Sequence, residues 1–500
     1  MRIAFRVDAT SQIGSGHFMR CLTLADELKE QGAQVCFVSR NLPAHLKDML
    51  VTKGIEYMAL NVDHARESSD DLTHSSWLET NQPKDAQATI QSLSNHLWDW
   101  VVVDHYALDE RWEKLVREST KKLMVIDDLA DRMHDCDMLL DQNFYSDMQT
   151  RYSGKVPENC KLLIGPRYAL LREEFRKLRE QIKPHTGEVK RILVFFGGVD
   201  VKNYTGQVID ALGELKSVRY VDVVIGAQNP YLEEIENACI GKDYVCHVQT
   251  PRMAELMTEA DLAIGAGGTT MWERCCLGLP AISISVAENQ NKQIADAAEA
   301  GLLYAPNGRK NLFNIIHNHT NVLLENPTLL KLISNTERKT VDGRGVTRVV
   351  NAMETGDIQI RRANEQDSQP LFEWRNHPTI RTVSRNNALL VWEEHQRWLS
   401  GIIDDKDREL LIGIRSNQPV GVVRFEKEGD FAEVSIYLVP GSEFAGQGSN
   451  LLLSAERWLK ANRPDIKGIR ASVLCNNEVS KNLFLSSNYC THTISYQKDL

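Results

Sequence analysis

Ile3-Ala4-Phe5-Arg6-Val7-Asp8, followed by Gly14-Ser15-Gly16-His17 and then by Phe18-Met19-Arg20-Cys21-Leu22-Thr23-Leu24-Ala25-Asp26-Glu27-Leu28, is the stretch that decides the fold. The first run has the apolar character of a strand, and the last places apolar residues at helical spacing. A glycine turn between them lets backbone N–H groups approach a phosphate, helped by roughly half a positive charge at the helix start. Gly14 and Gly16 are the residues expected to meet that anion. His17 then stands at the phosphate end of a pocket, with a side chain able to take a proton near neutral pH. A tight turn whose histidine only caps or packs is the other reading of these residues.

Outward from this stretch the pattern recurs. Candidate strands at Gln34–Ser39, Trp100–Asp104, Leu123–Asp127 and Lys161–Ile164 alternate with helical patterns such as Leu108–Lys121. Such alternation reads as a parallel, doubly wound sheet. Asn61–Lys84, polar and rich in Asp, His and Ser, reads as a loop with little packed structure. A charged helix over Leu170–Gln181 leads to Lys183-Pro184-His185-Thr186-Gly187, a predicted interdomain hinge. A second α/β domain opens on Arg191-Ile192-Leu193-Val194-Phe195-Phe196 and runs straight into Gly197-Gly198-Val199-Asp200. Two such domains facing each other form a cleft, with ligands at the carboxyl ends of the strands.

Within the second domain, Gly265-Ala266-Gly267-Gly268-Thr269-Thr270-Met271-Trp272-Glu273 follows the apolar run Ala260–Ile264 and opens a helix that ends at Gly278-Leu279-Pro280. Its glycines permit close backbone approach to an anion, and Glu273 is placed to accept both hydroxyls of a ribose. A glycine-rich connection with a surface acid is the alternative. After the strand Ile282–Val286, the amides of Asn289 and Gln290 suit the hydroxyl and acetamido groups of a sugar, or equally a solvated loop.

Bulk properties exclude several classes. Five hundred residues exceed one ordinary core. The 58 Lys and Arg against 68 Asp and Glu leave a formal charge of −10, which argues against nonspecific nucleic-acid binding and a basic membrane-surface role. Ten cysteines without a CxxC pair point to reduced thiols rather than a disulfide framework or zinc site. The chain starts directly on a strand, and no apolar run nears ~20 residues, so neither signal peptide nor membrane span is expected. The expected location is cytoplasmic.

From Met1 to about Val350 the chain resembles the UDP-sugar hydrolases of pseudaminic acid biosynthesis, the UDP-2,4-diacetamido-2,4,6-trideoxy-β-L-altropyranose hydrolases, which in turn look like the peptidoglycan glycosyltransferase of the GT-B fold. The matching segments, in order, are Arg6-Val7-Asp8-Ala9 with Gly14–His17 and Arg20-Cys21, Asp104-His105-Tyr106, Ile126-Asp127-Asp128, Gly165-Pro166-Arg167-Tyr168-Ala169-Leu170-Leu171-Arg172, Gly197–Asp200, and 265–273 with Asn289-Gln290. The resemblance implies that His17 is the catalytic base and that Tyr106 lines the active site. It implies UDP held through Gly267, Gly268, Thr269 and Glu273, with Asp200, Asn289 and Gln290 among the substrate contacts. It implies no obligatory metal. A glycosyltransferase shares the fold and the UDP grip, and differs in using a sugar hydroxyl in place of water.

Beyond a linker at 351–357 the pattern changes to α+β: strands Glu409–Arg415, Pro419–Glu426 and Ala432–Leu438, then Phe444-Ala445-Gly446-Gln447-Gly448-Ser449 before a helix Asn450–Ala461. Backbone N–H groups at such a helix start can cradle a pyrophosphate. Ala471-Ser472-Val473-Leu474 precedes Asn477-Glu478-Val479-Ser480-Lys481-Asn482-Leu483-Phe484. This region, about Ile358–Leu500, resembles the GCN5-related N-acetyltransferases, most nearly the acetyltransferase of the same pathway. The resemblance implies acetyl-CoA as co-substrate, bound through Gly446, Gln447, Gly448 and Asn477. Glu443 stands where the family signature has Gln or Arg, and Phe484 where many relatives carry the tyrosine that protonates the CoA thiolate; Tyr489 comes five residues later. Trp374 and Trp398 read as core packing, with contact to substrate the alternative.

The expected architecture is a Rossmann-like domain over 1–182 carrying His17, a UDP-binding Rossmann-like domain over 183–350 and an acetyltransferase domain over 358–500. The expected function is bifunctional: N-acetylation of a UDP-4-amino-4,6-dideoxy sugar, then hydrolysis of the diacetamido product. A UDP-sugar glycosyltransferase with an acetylating appendage, and a nucleotide-sugar binding protein with decayed catalytic modules, are the alternatives. His17→Phe is expected to abolish UDP release and spare acetyl transfer, and Gly446→Trp to do the reverse. Paired assays of the two reactions check both, and loss of both activities from either folded variant contradicts independent sites.

Overall fold

The computed structural model describes residues 1–10, 12–60, 70–215, 218–288, 290–306, 311–353, 358–384, 387–415, 417–441, 447–474, 477–487, 489–490 and 492. Two compact units divide the chain, Met1–Val346 and Thr347–Leu500. The first contains two sheets. Strands β1 (Arg2–Val7), β2 (Gln34–Ser39), β3 (Glu56–Ala59), β4 (Trp98–Asp104), β5 (Thr120–Ile126), β6 (Met138–Asp141) and β7 (Lys161–Ile164) form the N-terminal one, in the order β3-β2-β1-β4-β5-β6-β7. Strands β8 (Arg191–Phe195), β9 (Tyr220–Ile225), β10 (Val245–Val248), β11 (Leu262–Ala266) and β12 (Ala281–Ile284) form the other, in the order β10-β9-β8-β11-β12. Every pairing in both sheets is parallel.

Parallel strands need crossover helices, which cover both faces and force near-continuous apolar strands. In β8, Ile192 and Val194 enter one buried cluster with Val221, Val223, Leu262 and Ile264, while Leu193 joins Val224, Ala263 and Ala281 in another. The N-terminal sheet behaves likewise. Ala4, Cys36, Val38, Val101 and Val103 share one cluster, whereas Phe5 stacks on Phe37, on which Phe18 of the Gly16–Glu30 helix also packs. Strand order reverses between β1 and β4 in one sheet and between β8 and β11 in the other. Those two switch points are where an open α/β sheet presents its ligand crevice.

Beneath the first switch point lies a buried ionic cluster. The Arg6 guanidinium forks onto Asp85 at 3.1 and 2.8 Å and reaches Asp8 at 2.9 Å. Arg40 and the indole N–H of Trp112 also donate to Asp85, at 3.1 and 3.0 Å. Asp8 accepts the backbone N–H groups of Arg40 and Asn41, tying the end of β1 to the end of β2. Burial raises the Asp85 carboxyl and the guanidiniums outweigh it, so the net shift is downward.

In the second unit, β13 (Gln359–Arg362), β14 (Arg408–Arg415), β15 (Gln418–Glu428), β16 (Phe431–Leu438) and β17 (Gly468–Arg470) form one sheet in sequence order, antiparallel except for β16 with β17. The Gly448–Asn462 helix packs Leu451, Leu452, Ala455 and Leu459 on one face. Leu371 and Leu399, from the Ser368–Asn376 and Trp392–Ile403 helices, pack on the other.

Several expectations shift. The helix expected over Leu108–Lys121 spans only Glu110–Val116, because Thr120 is already paired with Trp98 in the sheet. The expected loop Asn61–Lys84 contains a turn of 3₁₀ helix at Ser75–Leu78 with Leu78 buried. A helix starts at Gln82, capped by Asn81, whose side chain accepts from the Lys84 N–H. In the expected linker, Asn351–Met353 is helical, and 354–357 lie outside the described residues. Asp85→Ala would remove the buried carboxylate on which Arg6, Arg40 and Trp112 converge and leave Asp8 to face the Arg6 charge, at a cost of about 3–5 kcal/mol. Chemical denaturation followed through a first-unit tryptophan checks this; an unchanged midpoint contradicts it.

Candidate active site

His17 lies in the first turn of the Gly16–Glu30 helix, immediately beyond the carboxyl end of β1. Gly14 precedes it at φ +75°, which closes the turn through its N–H to the Thr10 carbonyl at 2.8 Å. The imidazole is 10% exposed, and its Nδ1 lies 2.6 Å from Oδ1 of Asp104, the last residue of β4. Arg20, one turn along the same helix, donates Nε to Asp104 Oδ2 at 2.6 Å and Nη2 to Oδ1 at 2.7 Å. Burial raises the Asp104 carboxyl; the Arg20 charge, with His17, more than offsets this and holds it well below the ordinary range. An ionised carboxylate only accepts, so the 2.6 Å contact requires Nδ1 to carry a hydrogen. Nε2 is thereby left as the proton acceptor of the neutral ring.

Tyr106 sets its ring edge-on to His17, centroids 4.6 Å apart, and donates its hydroxyl to Asp128 Oδ1. Asp128 Oδ2 also accepts Arg20 Nη1 at 3.1 Å. Burial and the Asp128 charge push the Tyr106 phenol well above its usual value, so it acts as a neutral donor. Trp77 stacks on Tyr106 at 5.6 Å and meets the His17 ring edge at 6.4 Å, with His74 against both aromatic rings. An aromatic wall thus adjoins the imidazole, built from a segment whose polar sequence gave no sign of it.

At the second switch point, Gly267 and Gly268 end β11 and open the Thr269–Leu277 helix. Gly268 has φ +88° and ψ −161°, a region essentially confined to glycine. Thr269 begins the helix, and Glu273 lies one turn on, its side chain 15% exposed. Burial raises the Glu273 carboxyl above its ordinary range, and Arg172, with Nη2 at 3.6 Å, pulls the other way. Gln290 starts the Gln290–Glu299 helix, its Oε1 3.5 Å from where a Cβ on Gly267 would sit, so the two are neighbours. Asn289 lies outside the described residues. Asp200 anchors the Tyr204–Gly213 helix: its Oδ1 accepts the Tyr204 N–H and its Oδ2 accepts the N–H and hydroxyl of Thr205.

The second unit carries a cleft of about 650 Å³ whose walls include Arg375, Trp398, Tyr437, Asn477, Ser480 and Phe484. Asn477 caps the Glu478–Ser486 helix through the Ser480 N–H and lines this cleft. Gly448 begins the Gly448–Asn462 helix; Gly446 and Glu443 lie outside the described residues. The buried Gln447 amide donates to the Asn351 carbonyl at 2.7 Å and accepts from Asn450, so its side chain is structural and its backbone is the part left to meet an anion. Trp398 departs from expectation: it is 37% exposed on the cleft wall, whereas Trp374 packs in the core. Tyr489 donates to Glu456 at 2.6 Å behind Phe484.

Among the described residues, no group of three or more His, Cys, Asp and Glu side chains is placed to hold a metal, and no helix is long and apolar enough to cross a membrane. In the sequence Asp104, Arg20 and Asp128 stand out only as parts of the matching segments. The usable signal for Asp104 was a lone carboxylate ending an apolar strand.

Residues 191–305 match the glycosyltransferase family 28 C-terminal domain. An uncharacterized protein of Methanocaldococcus jannaschii is 26% identical over 98% of this chain and 96% of its own. The UDP-2,4-diacetamido-2,4,6-trideoxy-β-L-altropyranose hydrolase of Campylobacter jejuni is 26% identical, covering 60% of this chain and 97% of its own. The acetyltransferase PseH of Campylobacter jejuni is 25% identical over 25% of this chain and 78% of its own. The crystal structure of Acinetobacter baumannii MurG matches 70% of this chain and 99% of its own at a TM-score of 0.50 and 16% identity, a likeness of fold. The fold class is two doubly wound Rossmann-like sheets in a GT-B-like pair, followed by an α+β acetyltransferase-like module.

Gly268→Ala is expected to destabilise the first unit by about 1–3 kcal/mol through backbone strain. Gly267→Ala, at ordinary φ, would meet the Ile294 side chain at 3.1 and 3.2 Å and Gln290 Oε1 at 3.5 Å, with no backbone in the way. Thermal unfolding compares the two, and equal midpoints contradict the strain at Gly268.

Proposed function

We propose that the first unit hydrolyses UDP-2,4-diacetamido-2,4,6-trideoxy-β-L-altropyranose to UDP and free sugar, and that the second N-acetylates the UDP-4-amino-4,6-dideoxy-sugar precursor from acetyl-CoA. The product of one step is the substrate of the other. The observation that carries the hydrolytic half is the His17–Asp104 contact at the β1/β4 switch point. Similarity to a hydrolase of that name over nearly its whole length supports the same reading.

In this mechanism His17 Nε2 takes a proton from water as the water oxygen attacks the anomeric carbon. The carbon–oxygen bond to the diphosphate breaks, and its electron pair leaves with UDP. Asp104 keeps the ring in the required tautomer and stabilises the imidazolium that forms. Base assistance of this kind is worth ~10²–10⁴ in rate. On the opposite side, the turn at Gly267-Gly268 and the helix start at Thr269 offer N–H groups and a positive dipole end to the departing diphosphate. Glu273 is the acceptor for the ribose hydroxyls. Arg172 leaves that carboxylate when the hydroxyls arrive and turns its charge to the phosphates.

In the second unit, the Gly448 helix start would meet the CoA pyrophosphate, and Asn477 borders the acyl end of the cleft. A cleft of about 650 Å³ that takes in Asn477 and Ser480, at the start of the Glu478–Ser486 helix, supports this role. Acetyl-CoA supplies the acetyl thioester; this chain's part is to hold the sugar amine beside it, and proximity accounts for much of the acceleration.

The family 28 match favours a second reading, in which a sugar hydroxyl replaces water. The full chain, incubated with the diacetamido UDP-sugar alone in heavy-oxygen water, separates the two. Hydrolysis at carbon releases UDP and places the heavy oxygen on the sugar. No release without an added acceptor favours the transferase, and heavy oxygen on UDP contradicts attack at carbon. Asp104→Asn is expected to lower kcat for UDP release by about 10²–10⁴-fold while UDP still binds; unchanged kcat contradicts the role of Asp104.

A further inference from the structure

The network around His17 does not stop within its own lobe. Asn143, two residues beyond β6 and 7% exposed, donates Nδ2 to Asp128 Oδ2 at 3.1 Å. Its Oδ1 accepts Trp272 Nε1 at 2.9 Å and Gln293 Nε2 at 2.8 Å. Trp272 is fully buried beside Glu273 on the helix opened by Gly267-Gly268, and Gln293 is buried on the helix that begins at Gln290. Only one orientation of the amide serves all three partners, since the carboxylate needs a donor and the two N–H groups need an acceptor. A continuous chain of polar contacts therefore runs from His17 through Asp104, Arg20, Asp128 and Asn143 to both helices that flank the nucleotide side of the cleft. The neighbouring contacts between the lobes, Ser146 to Asp296 at 2.9 Å and Lys292 to Asp147 at 3.1 Å, are exposed and end at no group of the site.

We infer that Asn143 is a positioning residue that couples the nucleotide-binding lobe to the catalytic base: seating of a nucleoside diphosphate at the Gly267–Glu273 turn fixes Trp272, and through Asn143 fixes Asp128, Arg20 and Tyr106 around His17. This rests on the hydrolase reading above. The chemistry suits the task. A buried amide with both acceptor positions filled and one N–H held by a carboxylate transmits position because a slip leaves a buried polar group unpaired, which costs more than a strained exposed contact. Two rigid elements held by one side chain have few intermediate arrangements.

The test uses the full chain and three variants: Asn143→Ala, Trp272→Phe, which removes the indole N–H while keeping a ring, and the double variant. Steady-state UDP release, UDP affinity by calorimetry and melting temperature are read for each. Asn143→Ala is expected to lower kcat by about 10–100-fold, as a small misplacement of the reacting groups does, with UDP affinity changed less than about three-fold. Trp272→Phe is expected to lower kcat by a smaller factor, and the double variant to be no slower than Asn143→Ala, because both remove one connection. Multiplying effects in the double variant, or an unchanged kcat in Asn143→Ala, overturns the proposal. Should Asn143→Ala fail to fold, Trp272→Phe and Gln293→Leu carry the same comparison, and wild-type kcat in both overturns it. A wild-type chain that releases no UDP from the sugar nucleotide sinks the hydrolase reading itself, a result distinct from wild-type turnover with no effect of Asn143.

Discussion

A carboxylate that can only accept, 2.6 Å from one nitrogen of an imidazole, is the constraint on which the first unit's chemistry depends. It makes a ring that could present either nitrogen present one, and it does so without solvent. Asp104 serves because Arg20 grips both its oxygens, so the charge survives burial. The backbone supplies the meeting point. β1 and β4 are adjacent and parallel although 87 residues separate His17 from Asp104, and both chains leave the sheet at the same edge.

The same logic extends to the C-terminal lobe. Gly268 occupies a backbone region that side chains avoid, and so lets the chain pass from β11 into the Thr269–Leu277 helix within two residues. Trp272 of that helix reaches back to Asn143 and so to Asp128. Rigid sheets supply placement, and a short set of buried polar contacts ties the two placements together. The second unit is built differently, with a mostly antiparallel sheet and a cleft lined by Asn477, Tyr437 and Trp398. Phe484, on the wall of that cleft, has no acidic hydrogen, and the Tyr489 hydroxyl donates to Glu456.

Much of this was legible in the chain. The strand–glycine–helix runs at Ile3–Leu28 and Ala260–Gly278 reveal their geometry because glycine spacing and apolar periodicity are local. What depends on distant partners was not legible. Asp104 reads as the end of a strand until β1 lies beside it. The helix-anchoring bonds of Asp200 to Thr205, and the bond from the Gln447 amide to the Asn351 carbonyl, are equally invisible until the chain folds. Trp77 sits in a polar segment without periodicity, and only the packed Tyr106 ring gives it a place. The helix expected to reach Lys121 stops at Val116 because sheet pairing outweighs helical propensity there.

The most direct test of the central claim is the tautomer of His17, read by NMR on full-length protein carrying isotope-labelled histidine, with the resonance assigned by His17→Asn. A neutral ring with hydrogen on Nδ1 and a bare Nε2 is expected, shifting toward the other tautomer in Asp104→Asn. A neutral ring with hydrogen on Nε2 and a bare Nδ1 in the unsubstituted protein would show that Asp104 does not set the tautomer, and would contradict the account.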